Sequence, residues 1–127
     1  LIVHIPNEDL GETVTIVGSQ LDFYPTIANI MGFKNTKGIV FGMDLNNPSR
    51  ENYVFPQTYL YKGSVITKDY IFEFSRDGVY ENSIAINRIN REEVDINKFK
   101  DIYQRGIREI DLSDYILKSN YFEEYIK

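Results

Sequence analysis

Cysteine is absent from these 127 residues and histidine occurs once. Without thiols, neither a disulfide framework nor a thiolate metal site can form. His4 by itself supplies at most one ligand, where a metal centre needs several convergent groups. No apolar run approaches the length of a membrane span, and the first residues are neither a basic leader nor an Arg-rich transit peptide. Positive charge is in deficit: 14 Lys and Arg stand against 19 Asp and Glu, a formal net charge of -5. The cations are dispersed among acids, which argues against the clustered basic surface that binds nucleic acid. Phosphate-cradling glycine patterns are missing as well, since neither G-x-G-x-x-G nor G-x-x-x-x-G-K-[ST] occurs. There is no internal repeat and no low-complexity segment.

What is present reads as a globular chain the size of one ordinary domain, with 43% hydrophobic and 26% charged residues. The most informative stretch is Ser19-Gln20-Leu21-Asp22-Phe23-Tyr24-Pro25-Thr26-Ile27-Ala28-Asn29-Ile30-Met31-Gly32. Asp22 is placed to cap a helix, Pro25 is tolerated in the first turn, and Gly32 can take the left-handed conformation that ends it. Ile27, Ile30 and Met31 share one face, expected to be buried.

The chain before this helix opens with Leu1-Ile2-Val3-His4-Ile5, apolar on both faces except at His4, the pattern of a central strand. A core strand with no preceding cap or turn implies a chain cut from something longer. Thr13–Val17 and Ile39–Phe41 read as short β-rich runs. Asn46-Asn47-Pro48-Ser49 punctuates the chain and divides it into residues 1–47 and 48–127.

The second part alternates like an antiparallel meander. Expected strands are Gln57–Tyr61, Ser64–Thr67, Tyr70–Phe74 and Val79–Glu81, with Asp77-Gly78 as the clearest hairpin turn. Tyr70, Phe72 and Phe74 fall on one face. From Glu92 to about Lys118 the spacing becomes helical, with Phe99, Tyr103, Gly106 and Ile110 in a stripe that should lie across the meander. Gly106 either weakens this helix or permits close packing.

Candidate chemistry is sparse. Asp22 can be read as a ligand or general acid, but its place before a helix favours a cap. Glu8, Asp9 and Glu12 lack the regular alternation of a calcium loop and read as solvated surface. Ser19, Thr26, Ser64 and Thr67 have no neighbouring histidine base, and an unactivated hydroxyl is a poor nucleophile. Gly18-Ser19-Gln20 offers amides to an anion, although Asp22 competes for that helix end. The ten tyrosines suit a stacking surface for sugars or glycerol phosphate, yet aromatics at alternating strand positions are more commonly core. The chain therefore carries no catalytic, cofactor-binding or metal-ligating residue that can be named.

The strand Leu1–Pro6, the run Ser19–Ile27, then Phe41-Gly42-Met43-Asp44-Leu45 and Gly63-Ser64-Val65-Ile66-Thr67-Lys68-Asp69-Tyr70 resemble, in order and spacing, the C-terminal part of sulfatase-like members of the alkaline phosphatase superfamily. Within these the chain is most similar to lipoteichoic acid synthase-like phosphoglycerol transferases. The resemblance is strongest from Leu1 to Tyr80 and fades after Ile84. It implies an α+β piece of an α/β sulfatase-like fold: one core strand and helix, then a small antiparallel sheet packed by a C-terminal helix. Such enzymes are anchored in the membrane with the catalytic domain outside. They use a Thr or Ser nucleophile and a divalent metal, manganese or magnesium, to move glycerol phosphate from phosphatidylglycerol onto a lipid-linked polymer.

In that family the nucleophile and ligands precede the position of Leu1, and His4 does not match the Asp-His pair. The implied role is thus non-catalytic, with the upstream part of the same protein as partner and the cofactor absent from this piece. Two further readings stand beside it: a free-standing binding module, and a fragment of a true sulfuric ester hydrolase. An isolated piece should leave its first strand and helix face uncovered, or pair them with another copy.

Overall fold

Four short strands form an antiparallel meander in the order β1-β2-β3-β4: β1 (Tyr53–Val54), β2 (Val65–Thr67), β3 (Tyr70–Glu73) and β4 (Ile84–Asn87). The computed structural model describes residues 2–7, 11, 13–34, 38–56 and 59–119. β2 and β3 are joined by Lys68-Asp69, and the Thr67 hydroxyl closes this tight turn by accepting from the Tyr70 amide at 2.9 Å. Ala85 lies opposite Phe72, a small residue facing a large one, which leaves room for Phe99 to stack on the Phe72 ring at 5.5 Å. Val65, Phe72, Ala85 and Phe99 form the buried cluster, with Tyr53, Phe55, Tyr70, Phe74, Tyr80 and Tyr103 around it. The expected aromatic face is therefore core.

The Asp77-Gly78 turn forms, but no strand follows at Val79–Glu81. The Asp77 carboxylate accepts from the Ser75 hydroxyl, the Val79 amide and the Asn82 side chain. These bonds lead the chain into a 3-10 turn, Tyr80–Asn82, before β4. Tyr80 is drawn inward, its ring near Phe72 and Tyr103 and its hydroxyl donating to the Ile96 carbonyl at 2.7 Å. The expected strand at Gln57–Tyr61 lies partly outside the described residues. Tyr59–Tyr61 is not strand, and the edge position is filled by β1 instead.

The C-terminal helix runs from Lys100 to Lys118, numbered here α2, the shorter helix Phe23–Ile30 being α1. Its expected start at Glu92 comes too early for a tertiary reason. Asn87 donates to the Glu92 carbonyl and Val94 to the Ala85 carbonyl, both at 2.9 Å, so this segment is held along β4. Asp95 then caps a 3-10 turn, Ile96–Phe99, that feeds α2. Gly106 serves close packing: a Cβ there would lie 2.5 Å from the Phe55 ring, and one on Gly63 would meet Tyr103 at the same distance.

Residues 2–5 do not pair as a strand, and Ile2 is 97% exposed. Thr13–Val17 and Ile39–Phe41 are likewise irregular. α1 ends as expected, with Gly32 at φ 71, Phe33 donating to the Ala28 carbonyl and Gly32 to that of Asn29. Its burial departs from expectation. Thr26 and Ala28 are buried, whereas Ile30 and Met31 are exposed; the polypeptide at 44–45 bonds to Asn29 and Thr26 instead.

Candidate functional site

Asp22 is the centre of a strongly organised polar site. It lies at the end of a 3-10 turn, Gln20–Asp22, whose cap is Ser19: the Ser19 hydroxyl accepts from the Leu21 amide at 3.2 Å. Asp22 does not cap α1 with its side chain, a correction to the sequence expectation. Its carboxylate turns back to accept from the Ser19 amide and hydroxyl at 2.7 and 3.1 Å. It also accepts from the Met43 amide at 2.9 Å and, bidentate, from Arg50 at 2.9 and 2.8 Å.

Both partners of the pair are 5% exposed at the side chain. Burial pushes the Asp22 carboxyl up, but the hydrogen bonds from Arg50 and from the Met43 and Ser19 amides outweigh it and hold it below its ordinary 3.8. Five donors occupy a carboxylate with roughly four lone-pair sites. Both carboxylate oxygens are engaged: one by Met43 and Arg50, the other by Ser19 and Arg50.

The arrangement spreads outward through motifs that the sequence shows as separate. The Thr26 hydroxyl donates to the Asp22 carbonyl at 2.6 Å and accepts from the Leu45 amide at 3.0 Å. Asn29 donates to Asp44 at 2.7 Å. Gly42 is required because a Cβ would fall 2.0 Å from the Leu21 carbonyl oxygen. The run Phe41–Leu45 is thus a clasp on Asp22–Asn29. Arg50 also donates to the carbonyls of Met43 and Val17, while Asn52 accepts from the Val17 amide. Arg50 was invisible to sequence reasoning, since no local pattern links it to an acid 28 residues earlier.

Beside this knot an open groove of about 680 Å³ runs between Ile39–Met43, β1 and α2. Its walls include exposed Val40, Phe41, Leu112 and half-buried Ile116. Arg105 joins the two sides, donating to Glu51 at 2.5 Å and Glu109 at 2.7 Å, and lies 5.5 Å from the centre of the Tyr53 ring. Burial and a hydrogen bond to Glu51 push the Tyr53 phenol well above its ordinary 10.0.

The other candidates are dispersed. His4 is exposed, and Glu8, Asp9 and Glu12 lie outside the described residues. Ser64 is fully buried and accepts from the Phe74 amide; Thr67 closes the β2–β3 turn. Tyr59 and Tyr61 are exposed, while Tyr70 packs edge-on against Phe99. Among the described residues, no group of three or more His, Asp or Glu converges as a metal site, and no helix is long and apolar enough to cross a membrane.

No protein-family model matches the chain. Over 73 residues, 56% of the chain, it is 36% identical to the lipoteichoic acid synthase-like protein YvgJ of Bacillus subtilis (strain 168), and the matched part is 11% of that protein. The crystal structure of the lipoteichoic acid synthase LtaP from Listeria monocytogenes superposes with a TM-score of 0.78 at 25% identity, over 91% of this chain and 28% of the other. The chain thus spans a small fraction of the length of the proteins it matches. In sequence the chain is similar to lipoteichoic acid synthase-like proteins, and its α+β architecture matches the fold of the C-terminal part of such a synthase.

Proposed function

We propose that the chain is the C-terminal, non-catalytic part of a metal-dependent phosphoglycerol transferase of the lipoteichoic acid synthase type, working at the outer face of the cell membrane. Its task is to complete and close the catalytic body. The observation that carries this reading is the match of nearly the whole chain to little more than a quarter of a synthase. The uncovered apolar side of α1 supports it: Phe23, Ile30, Met31 and Phe33 are exposed together, a surface suited to packing against more protein. Manganese or magnesium would stabilise charge on a transferring phosphoryl group. In this reading the upstream polypeptide supplies the ligands of that ion, together with the nucleophile and the membrane anchor.

The test is to express the chain joined to the coding sequence that precedes it and to follow head-group release from phosphatidylglycerol with added manganese or magnesium. Turnover by the joined protein, lost when residues 19–119 are removed and absent from the 127 residues alone, is the expected result. Turnover by the 127 residues alone, or unchanged turnover after that removal, overturns the reading. A reading frame that begins within a few residues of Leu1 favours the binding module instead.

A further inference from the structure

The groove between Ile39–Met43, β1 and α2 has apolar walls that the fold fixes separately and leaves in water. On one side the Met43 amide donates to Asp22 at 2.9 Å and the Met43 carbonyl accepts from Arg50 at 3.2 Å. Gly42 lies against the Leu21 carbonyl with no room for a Cβ. This wall is therefore pinned through its backbone, and its side chains stand outward: Ile39, Val40, Phe41 and Met43 are exposed, Met43 by 43%. On the other side Leu112 is 59% exposed on α2, and Ile116, one turn further on, lines the same groove. Apolar walls free to move would close on each other. These are held open.

The apolar surface continues past the groove. A smaller hollow of about 330 Å³ shares Leu21 and Ile39–Phe41 with it and reaches Tyr24, beside which Phe23 of α1 is exposed as well. The charged residues of the groove are paired within the chain, Arg50 with Asp22 and Arg105 with Glu51 and Glu109. With a formal net charge of -5 on the whole chain, an anionic bilayer gains nothing here. An open trough also fails to enclose a small ligand as a pocket does. A broad apolar face with a polar rim is what protein presents to protein.

We propose that this groove is the seam at which the chain receives an apolar, uncharged surface of the polypeptide preceding Leu1. What points to that occupant, rather than to a second copy, is length. The 91% of this chain that superposes covers 28% of a synthase, so nearly three quarters of such a protein is polypeptide outside this piece. A tethered surface also outcompetes a free one, being present at an effective concentration on the order of millimolar. The inference deepens the proposed function and rests on its reading of the chain as the last part of a longer protein, but not on that protein's activity.

Met43 supplies a native probe. The chain joined to the coding sequence that precedes it, and the 127 residues alone, are each treated with dilute hydrogen peroxide, and sulfoxide at Met43 is followed by peptide mass spectrometry. Met43 should oxidise about tenfold more slowly in the joined protein, where its sulfur is covered. Leu112→Asp should restore its reactivity there by placing a charge in the seam. The same change should leave thermal unfolding of the 127-residue chain unaltered, because Leu112 stands in solvent.

Equal oxidation in the two proteins overturns the inference, as does protection that Leu112→Asp leaves intact. Protection that arises in the 127 residues alone as their concentration is raised gives the groove to a second copy, and overturns it too. Head-group release by the joined protein, with Met43 as reactive as in the short chain, rejects the seam and keeps the proposed function. A protected Met43 without turnover does the reverse.

Discussion

Residues 17–45 and residues 53–118 are held together by different physics. In the second region the buried residues include Val65, Phe72, Ala85, Phe99 and Ile110, and the rings of Tyr80, Phe99 and Tyr103 surround Phe72. In the first, the buried residues among those described are Asp22, Thr26 and Ala28, and the order comes from one carboxylate and its donors. Dispersion and apolar burial are spread over many atoms, so no single bond in 53–118 is decisive. A buried ion pair concentrates the outcome in two side chains, because losing either leaves the other charge unpaired.

Three changes sharpen that contrast. Phe72→Ala should have the largest effect, about 4 kcal/mol from lost transfer energy and the cavity left among rings. Urea unfolding monitored by near-ultraviolet tyrosine signals would show it as a lower midpoint, and an unshifted midpoint would contradict the core assigned here. Asp22→Asn should cost about 3 kcal/mol, and its mark should be regional. Hydrogen exchange should accelerate at the amides of Met43 and Leu45, which bond to Asp22 and Thr26, while β2 and β3 stay protected.

Acid should reproduce this effect. The folded Asp22 carboxyl lies below its ordinary 3.8, so its stabilisation is complete above that value and is lost as pH falls through the lowered folded one. Asn at position 22 should abolish that part of the acid dependence. The smallest effect is expected from Arg105→Ala, no more than about 1 kcal/mol, because its pairs with Glu51 and Glu109 are about half exposed and screened by water. A thermal shift as large as that of Asp22→Asn would mean that the groove side of α2 is a second organising site.

The parts of the fold visible in the sequence are those governed by near neighbours. The Gly32 stop works through bonds to Ala28 and Asn29, and the aromatic alternation of Tyr70–Phe74 needs only the pleat of its own strand. The Phe99–Ile110 stripe needs only helical periodicity. Where the reading failed, a distant partner had intervened. Residues 92–94 would suit a helix, but bonds to Ala85 and Asn87 hold them against the sheet. Ile30 and Met31 have the spacing of a buried face, but the cover provided by 43–45 meets Asp22 and Thr26 instead.

The sequence by itself determined where α1 stops and α2 ends, the placement of β2 and β3, and the aromatic face of β3. Those features arise from contacts within a few residues, where spacing along the chain is also distance in space. Only the tertiary structure decided that Asp22 belongs to Arg50 and that the Phe41–Leu45 run clasps the first helix. Each depends on segments made neighbours by folding, and nothing in the local order of residues encodes that proximity.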